Sequence, residues 1–78
     1  MTRMKLISED ADAWNKKGVA FRIQGKYDEA IQAYSEAIRL DPENADVWYN
    51  KALIYRAMGL HPEADAALAR AEDIRTGR

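Results

Sequence analysis

The sequence predicts an all-α protein built from two stacked helix-turn-helix hairpins. When the chain is shifted by 34 residues, ten positions coincide, among them Trp14/Trp48 and Gly25/Gly59. Glycine or proline also interrupts the helical apolar pattern at Gly25, Pro42 and Gly59. A fixed period of roughly 20–50 residues is typical of repeat architectures, in which neighbouring units share one core. The expected helices are at about 11–24, 27–40, 45–58 and 62–75.

The first helix is expected to follow Asp10 as its N-cap and to end at Gly25, because a positive φ is favoured just beyond a helix. Trp14 and Gly18 lie four residues apart and belong to one packing stripe. A glycine within a helix costs about 1 kcal/mol relative to alanine, and it is tolerated where another backbone approaches closely. The second helix should therefore pack tightly against Gly18 through small alanines.

The second helix carries Asp28 and Glu29 in its first turn, where the helix dipole favours anions. After it, Pro42 cannot continue the helix and Asn44 is the expected cap of the third helix. The fourth helix should begin at His61-Pro62. The expected inner face of the second helix consists of Ala30, Tyr34, Ala37 and Ile38.

One side of the second hairpin is more polar than its counterpart in the first. Ile31 and Ile38 lie seven residues apart on one side of the second helix, and the residues at the matching positions are Asp65 and Glu72. A helical array requires a polar outer face at its end. The sequence therefore predicts that the array ends after the second unit.

The order of the repeated residues resembles that of the tetratricopeptide repeat family, and the resemblance covers residues 11–78. It implies a right-handed α-solenoid fragment with repeats at 11–44 and 45–78, preceded by an N-terminal arm at 1–10. The chain departs from the family at Lys17 and Lys51, where leucine is usual. The residues that carry the resemblance are Trp14, Gly18, Phe21, Gly25, Tyr27, Ala30, Tyr34, Ala37 and Pro42.

Composition narrows the function classes. The chain has 78 residues, no cysteine and a net charge of −1, with 47% hydrophobic and 32% charged residues. The lack of cysteine excludes disulfides and thiolate metal sites, and the net charge gives no electrostatic basis for binding nucleic acid. No apolar stretch approaches the roughly 20 residues that span a bilayer. We expect a cytoplasmic protein that binds neither nucleic acid nor membrane.

No set of residues in the sequence predicts catalysis, a cofactor or a metal. His61 is the single histidine, and its position before Pro62 is typical of a helix start. No nucleophile, base and orienting group occur together, so we expect a protein that is not an enzyme. Lys17 and Lys51 are interpreted as lysines whose stems lie along apolar surface with their ammonium groups in water, in preference to a binding role. The aromatic residues are interpreted as core, with Tyr49 as the exception.

As the resemblance implies, the first helix of each hairpin lines a concave groove that holds a peptide or a partner's helix. Residues 11–24 carry three basic residues and one acidic, whereas residues 27–40 carry one basic and three acidic. The second unit is divided in the same sense, which favours an acidic or carboxylate-bearing ligand in the groove. The groove positions are Asp12, Asn15, Lys16, Val19, Arg22, Ile23, Asp46, Tyr49, Asn50, Leu53, Arg56 and Ala57.

Two alternatives to a peptide-binding module remain open. Two hairpins bury a small core, so self-association as a homo-oligomer or scaffold element is the first alternative. An engineered or excised unit without a function of its own is the second. The candidate self-association contacts are Met4, Leu6, Ile7, Leu53 and Leu60.

Overall fold

The computed structural model describes residues 7–77, with side chains from Asp10 onward. It contains two antiparallel helical hairpins, as predicted. The helices are α1 (Ile7–Ile23), α2 (Tyr27–Leu40), α3 (Ala45–Ala57) and α4 (His61–Thr76). The largest contacts join α1 to α2 and α3 to α4, and the two hairpins meet where α2 packs against α3.

The start of α1 differs from the prediction. The helix begins at Ile7, so Asp10 lies inside it and the predicted N-cap at Asp10 is wrong. No glycine or proline interrupts residues 7–11, and acidic residues such as Glu9 are favoured near a helix N-terminus. Part of the predicted arm thus extends α1, and Met4 and Leu6 lie outside the described residues.

Both hairpins close through the same turn. Gly25 and Gly59 adopt φ values of +77° and +80°, as predicted from their place after each helix. The Lys26 N–H donates to the carbonyl of Phe21 at 2.9 Å, and the Leu60 N–H donates to that of Tyr55 at 2.8 Å. These bonds satisfy carbonyl groups that would otherwise be left free at the helix ends.

The caps of the second hairpin explain its helix bounds. The Asn44 side chain accepts a hydrogen bond from the Asp46 N–H at 3.1 Å, which confirms Asn44 as the N-cap of α3. Gly77, at a φ of +80°, ends α4. Because Thr76 remains helical and His61 begins α4, this helix is one residue longer at each end than predicted.

Gly18 makes room for a ring. Tyr34 is fully buried, and a Cβ built on Gly18 would lie 2.5 Å from the Tyr34 Cε1 atom. The expected contact between Gly18 and small alanines is therefore replaced by contact with an aromatic side chain. A tyrosine ring this close to α1 can be accommodated only where the opposing residue lacks a side chain.

Val47 and Ile54 of α3 are fully buried in the core between the hairpins. Ile31 and Ile38 of α2 pack against this core. The sequence interpretation did not single out Val47 and Ile54. Each directly follows a groove position, Asp46 or Leu53, and is therefore rotated by about 100° away from the groove face of α3. Neither is identical in the two repeats, so neither was assigned to the packing stripe.

The matching faces at the two ends of the hairpin pair are small or polar. Ala13 and Ala20, the counterparts of Val47 and Ile54, are exposed on α1. Asp65 and Glu72 are exposed on α4, as the exchange of isoleucine for acidic residues predicted. The apolar members of each matching pair, on α2 and α3, thus lie between the hairpins, and the small or polar members, on α1 and α4, lie at the two ends.

Candidate functional site

The concave side of the molecule lies along α1 and α3. These two helices touch, whereas within residues 7–77 no contact joins α2 to α4. Because the first helices converge and the second helices diverge, the pair of hairpins curves toward α1 and α3. The surface formed by the predicted groove positions of α1 and α3 is here called the groove.

The predicted groove positions differ in their exposure. We call the half-buried positions the floor of the groove and the exposed positions its rim. The half-buried positions are Asn15, Val19, Arg22, Asn50 and Leu53. The exposed positions are Asp12, Lys16, Ile23, Asp46, Tyr49, Arg56 and Ala57.

A hydrogen bond between two side-chain amides joins the two repeats inside the groove. The Asn50 Nδ2 group donates to Asn15 Oδ1 at 3.1 Å. The structure thus brings together one predicted groove residue from each repeat. After this bond, the Asn15 amide N–H groups and the Asn50 carbonyl oxygen still have hydrogen-bonding capacity.

Arg22 contributes a buried donor to the same surface. Its Nε atom is buried and has no hydrogen-bond acceptor within the described part of the chain. Beside it in sequence, Ile23 is 74% exposed, a high value for a large apolar side chain. The groove therefore contains an unsatisfied cationic donor next to an exposed apolar contact.

Tyr49 lies apart from the other groove residues. It is 48% exposed and borders a cleft of about 260 Å³ against α4, together with Leu68, Ala71 and Arg75. The counterpart of this cleft in the first hairpin is covered by α3. Tyr49 therefore occupies the edge of the groove, at the side of the second hairpin that no described helix covers.

Two further clefts were not predicted as sites. The α1–α2 cleft, of about 380 Å³, and the α3–α4 cleft, of about 210 Å³, occupy matching positions in the two repeats. The α1–α2 cleft is lined by Trp14, Lys17, Phe21, Glu29, Gln32, Ala33 and Glu36. The α3–α4 cleft is lined by Trp48, Lys51, Tyr55, Glu63, Ala66 and Ala67. The sequence signal was the repeated Trp, Lys and aromatic residue, which had been interpreted as packing.

These clefts lie on the side of α1 and α3 that faces away from the groove. Two residues along an α-helix correspond to a rotation of about 200°. Lys51 in the α3–α4 cleft and Leu53 in the groove are two residues apart, and so are Lys17 and Val19. The clefts and the groove are therefore separate surfaces of the same two helices.

The two lysines differ in their surroundings. The Lys17 Nζ atom lies 4.9 Å from the centre of the Trp14 ring, and Lys17 is exposed as predicted. The Lys51 Nζ atom lies 5.8 Å from the Trp48 ring centre and 5.7 Å from that of Tyr55. Lys51 is half-buried, and burial lowers its pKa. The ring contacts of both lysines agree with stems that lie along apolar surface, and Lys51 is more withdrawn from water than Lys17.

The remaining chemistry of the described chain is sparse. Within residues 7–77, no group of three or more histidine, cysteine, aspartate or glutamate side chains is arranged to hold a metal ion. His61 is exposed at the first position of α4. None of the described helices combines the length and apolarity needed to cross a membrane.

Comparison with known proteins identifies the family. A profile described as TPR repeat matches residues 18–59, and one described as Tetratricopeptide repeat matches residues 45–76. Seven chains of solved structures match. One of them, the crystal structure of MamA, has a TM-score of 0.84 and 30% sequence identity over 86% of this chain.

The match covers 39% of the MamA chain, so this chain spans well under half of the length of MamA. A comparison with curated proteins found no match. Tetratricopeptide repeats are modules for protein–protein interaction and are generally not enzymes. With two matching profiles in tandem on two stacked helical hairpins, the chain belongs to the tetratricopeptide repeat family.

Proposed function

We propose that the groove binds an extended, acidic peptide segment of a partner protein in the cytoplasm. The observation that carries the proposal is the Asn15–Asn50 hydrogen bond. It holds two side-chain amides side by side on the floor, each with an unused donor or acceptor. An extended peptide presents backbone N–H and C=O groups in alternation, which such a pair can bind irrespective of the peptide's side chains.

The charges of the groove support an acidic ligand. Arg22 lies half-buried among the groove positions of α1, and Arg56 is exposed among those of α3. A carboxylate that accepts from a guanidinium group makes a stronger hydrogen bond than a neutral acceptor does. Charge complementarity of this kind also raises the rate of encounter.

The groove can be tested with peptides of different charge. Fluorescent ten-residue peptides with acidic, neutral and basic compositions would be titrated against the protein by anisotropy. We expect the acidic peptides to bind most tightly, and Arg56→Glu to weaken their binding about tenfold, because one attraction becomes a repulsion. Asn50→Ala should weaken binding of all peptides to the same extent.

Arg39→Glu is the matched control. Arg39 and Arg56 are both exposed and both lie in the last turn of their helices, so the two substitutions change the net charge equally. Arg39→Glu also removes the ion pair with Glu36, so the folded fraction of both variants is checked by circular dichroism before titration. Arg39 lies on α2, outside the groove. Equal loss of affinity in the two variants would contradict the proposal.

Self-association is the second candidate. Large apolar side chains are exposed at Ile23, Tyr49, Met58 and Leu60, and such residues contribute to oligomer contacts. Leu53, named among the candidate contacts, is half-buried. Sedimentation equilibrium at micromolar concentration separates the two functions: a monomer whose peptide affinity is independent of protein concentration excludes the oligomer.

A further inference from the structure

Lys51 is a half-buried ammonium group for which residues 10–77 provide no counter-ion. Its Nζ atom lies between two aromatic rings, and within residues 10–77 no carboxylate forms an ion pair with it. The α3–α4 cleft beside it is open to solvent and includes Glu63, which does not reach the ammonium group. A charge that is withdrawn from water without a partner costs free energy, and an incoming anion would remove part of that cost.

The matching cleft in the first repeat is more acidic. The α1–α2 cleft holds one lysine, Lys17, and two carboxylates, Glu29 and Glu36. In the second repeat the position of Glu36 is taken by Arg70, whose Cζ atom lies 5.9 Å from the Trp48 ring centre. The two clefts therefore share the same architecture but have opposite charges at one matching position, Glu36 in the first repeat and Arg70 in the second.

Neighbouring ion pairs modify this contrast without removing it. Glu36 pairs with Arg39, and the hydrogen bond from Arg39 lowers the pKa of Glu36, which therefore remains anionic at neutral pH. Arg70 lies 3.7 Å from Glu43, and both side chains are exposed, so the pairing is loose and screened by water. Arg70 thus remains a source of positive potential near the α3–α4 cleft.

The size of the α3–α4 cleft limits its occupant. Its volume of about 210 Å³ is below the 300–1,000 Å³ typical of small-molecule pockets, but it is sufficient for one amino-acid side chain. Its walls combine aromatic rings with the methyl groups of Ala66 and Ala67. Such walls suit the methylene groups of a glutamate, whose carboxylate would then reach the lysine.

We propose that the α3–α4 cleft is a second interaction site, which binds a glutamate side chain of a partner protein through an ion pair with Lys51. Tyr55 and Ala67 contact the methylene groups of that side chain, and Arg70 adds to the attraction. The site lies on the opposite side of α3 from the groove. The lowered pKa of Lys51 agrees with a group that lacks an anion, since a bound carboxylate would favour its charged form.

The test uses short peptides and the two indole N–H signals. The probes are acetyl-Leu-Glu-Leu-amide and the versions with glutamine or lysine in the middle position. Trp48 reports on the α3–α4 cleft through its indole N–H, which donates to the Pro42 carbonyl at 2.9 Å, and Trp14 reports on the α1–α2 cleft. In NMR titrations we expect the glutamate peptide to shift the Trp48 signal and to bind at least fivefold more tightly than the glutamine peptide.

Matched variants separate a binding role from a structural one. Lys51→Met should weaken binding of the glutamate peptide about tenfold, whereas Lys51→Arg and Lys17→Met should retain it. Arg70→Glu should weaken it, and Glu36→Arg should create a new shift at Trp14. Both methionine variants keep an unbranched apolar stem, which preserves the packing of the lysine methylene groups. If a variant lost affinity because it misfolded, its signals in the rest of the spectrum would also broaden.

The proposal is overturned if the glutamate and lysine peptides shift Trp48 equally, or if Lys51→Met leaves the affinity unchanged. It is also overturned if Arg56→Glu in the groove abolishes the Trp48 shift while Lys51→Met does not. Because the groove variants and the cleft variants are different residues on opposite sides of α3, failure of this site and failure of the groove give different results.

Discussion

The two hairpins share their turns but fill their interiors differently. Both close through a glycine with positive φ and the same backbone hydrogen bonds. In the first hairpin the Tyr34 ring lies over Gly18, whereas the second hairpin has Leu68 and Ala52 at the matching positions. A large residue opposite glycine and a medium one opposite alanine occupy similar volumes. The two hairpins thus share the backbone geometry of their turns, and their cores tolerate compensating changes in side-chain size.

The hairpins also differ in what covers them. The face of α3 that carries Val47 and Ile54 is buried against α2, whereas the same face of α1 carries exposed alanines. This difference identifies the contact between the hairpins as the main core that neither hairpin forms alone. Substitutions at matching positions should therefore have unequal effects.

The largest effect is expected for Ile54→Ala. Removing this fully buried side chain should lower the free energy of unfolding by about 2–4 kcal/mol, because it loses apolar burial and leaves a cavity between the hairpins. Ala20→Ile places the same side chain at the matching exposed position, and it should change stability by less than about 0.5 kcal/mol. Urea denaturation followed by circular dichroism measures both, and similar values would refute the proposed inequality.

An intermediate effect is expected for Gly18→Ala. The new Cβ would contact the Tyr34 ring, so the substitution should destabilise the fold by about 1–3 kcal/mol despite the higher helix propensity of alanine. The double variant Gly18→Ala/Tyr34→Leu reproduces the pair found in the second hairpin, and it should recover much of the loss. A double-mutant cycle measures the coupling, and additive effects would show that ring and glycine act independently.

The smallest effect concerns Lys51→Met and its dependence on pH. Since burial lowers the pKa of Lys51, the folded state disfavours the ammonium form, and this penalty is complete below the lowered pKa. The penalty declines as pH rises through the lowered pKa, and it is absent above the ordinary value of 10.5. Lys51→Met should therefore stabilise the protein at neutral pH by a few tenths of a kcal/mol, because the site is half exposed.

The same substitution at Lys17 is the control for this measurement. Lys17 is exposed, so Lys17→Met should change stability less than Lys51→Met at neutral pH. The advantage of Lys51→Met over the unmodified protein should decrease as the pH approaches 10.5. An advantage that is equal at neutral and alkaline pH would assign the effect to packing instead of charge.

The fold could be predicted because the signals that define it are local. Gly25, Pro42 and Gly59 mark helix ends, and Asn44 caps the helix that follows it. The start of α1 was missed because Asp10 is equally suitable as a cap and as a residue of a first helical turn. A capping residue alone does not distinguish the two.

The candidate site was harder to predict because it depends on contacts between helices. The sequence pattern placed Asn15 and Asn50 in the groove, but only the packing of α1 against α3 brings their amides to 3.1 Å. The burial of Lys51 could not be inferred from Lys17, although the two occupy the same repeat position. In the folded chain the Lys51 Nζ atom lies near two rings, Trp48 and Tyr55, whereas the Lys17 Nζ atom lies near the Trp14 ring.

The bond from the Trp48 indole to the Pro42 carbonyl gives one more consequence. It anchors the Trp48 ring of α3 to the loop that joins α2 to α3, so a separation of the hairpins that moves α3 relative to this loop breaks it. The rate at which the Trp48 indole N–H exchanges for deuterium would then report this opening. If the hairpins separate before either one unfolds, this exchange should be faster than that of the helix amides.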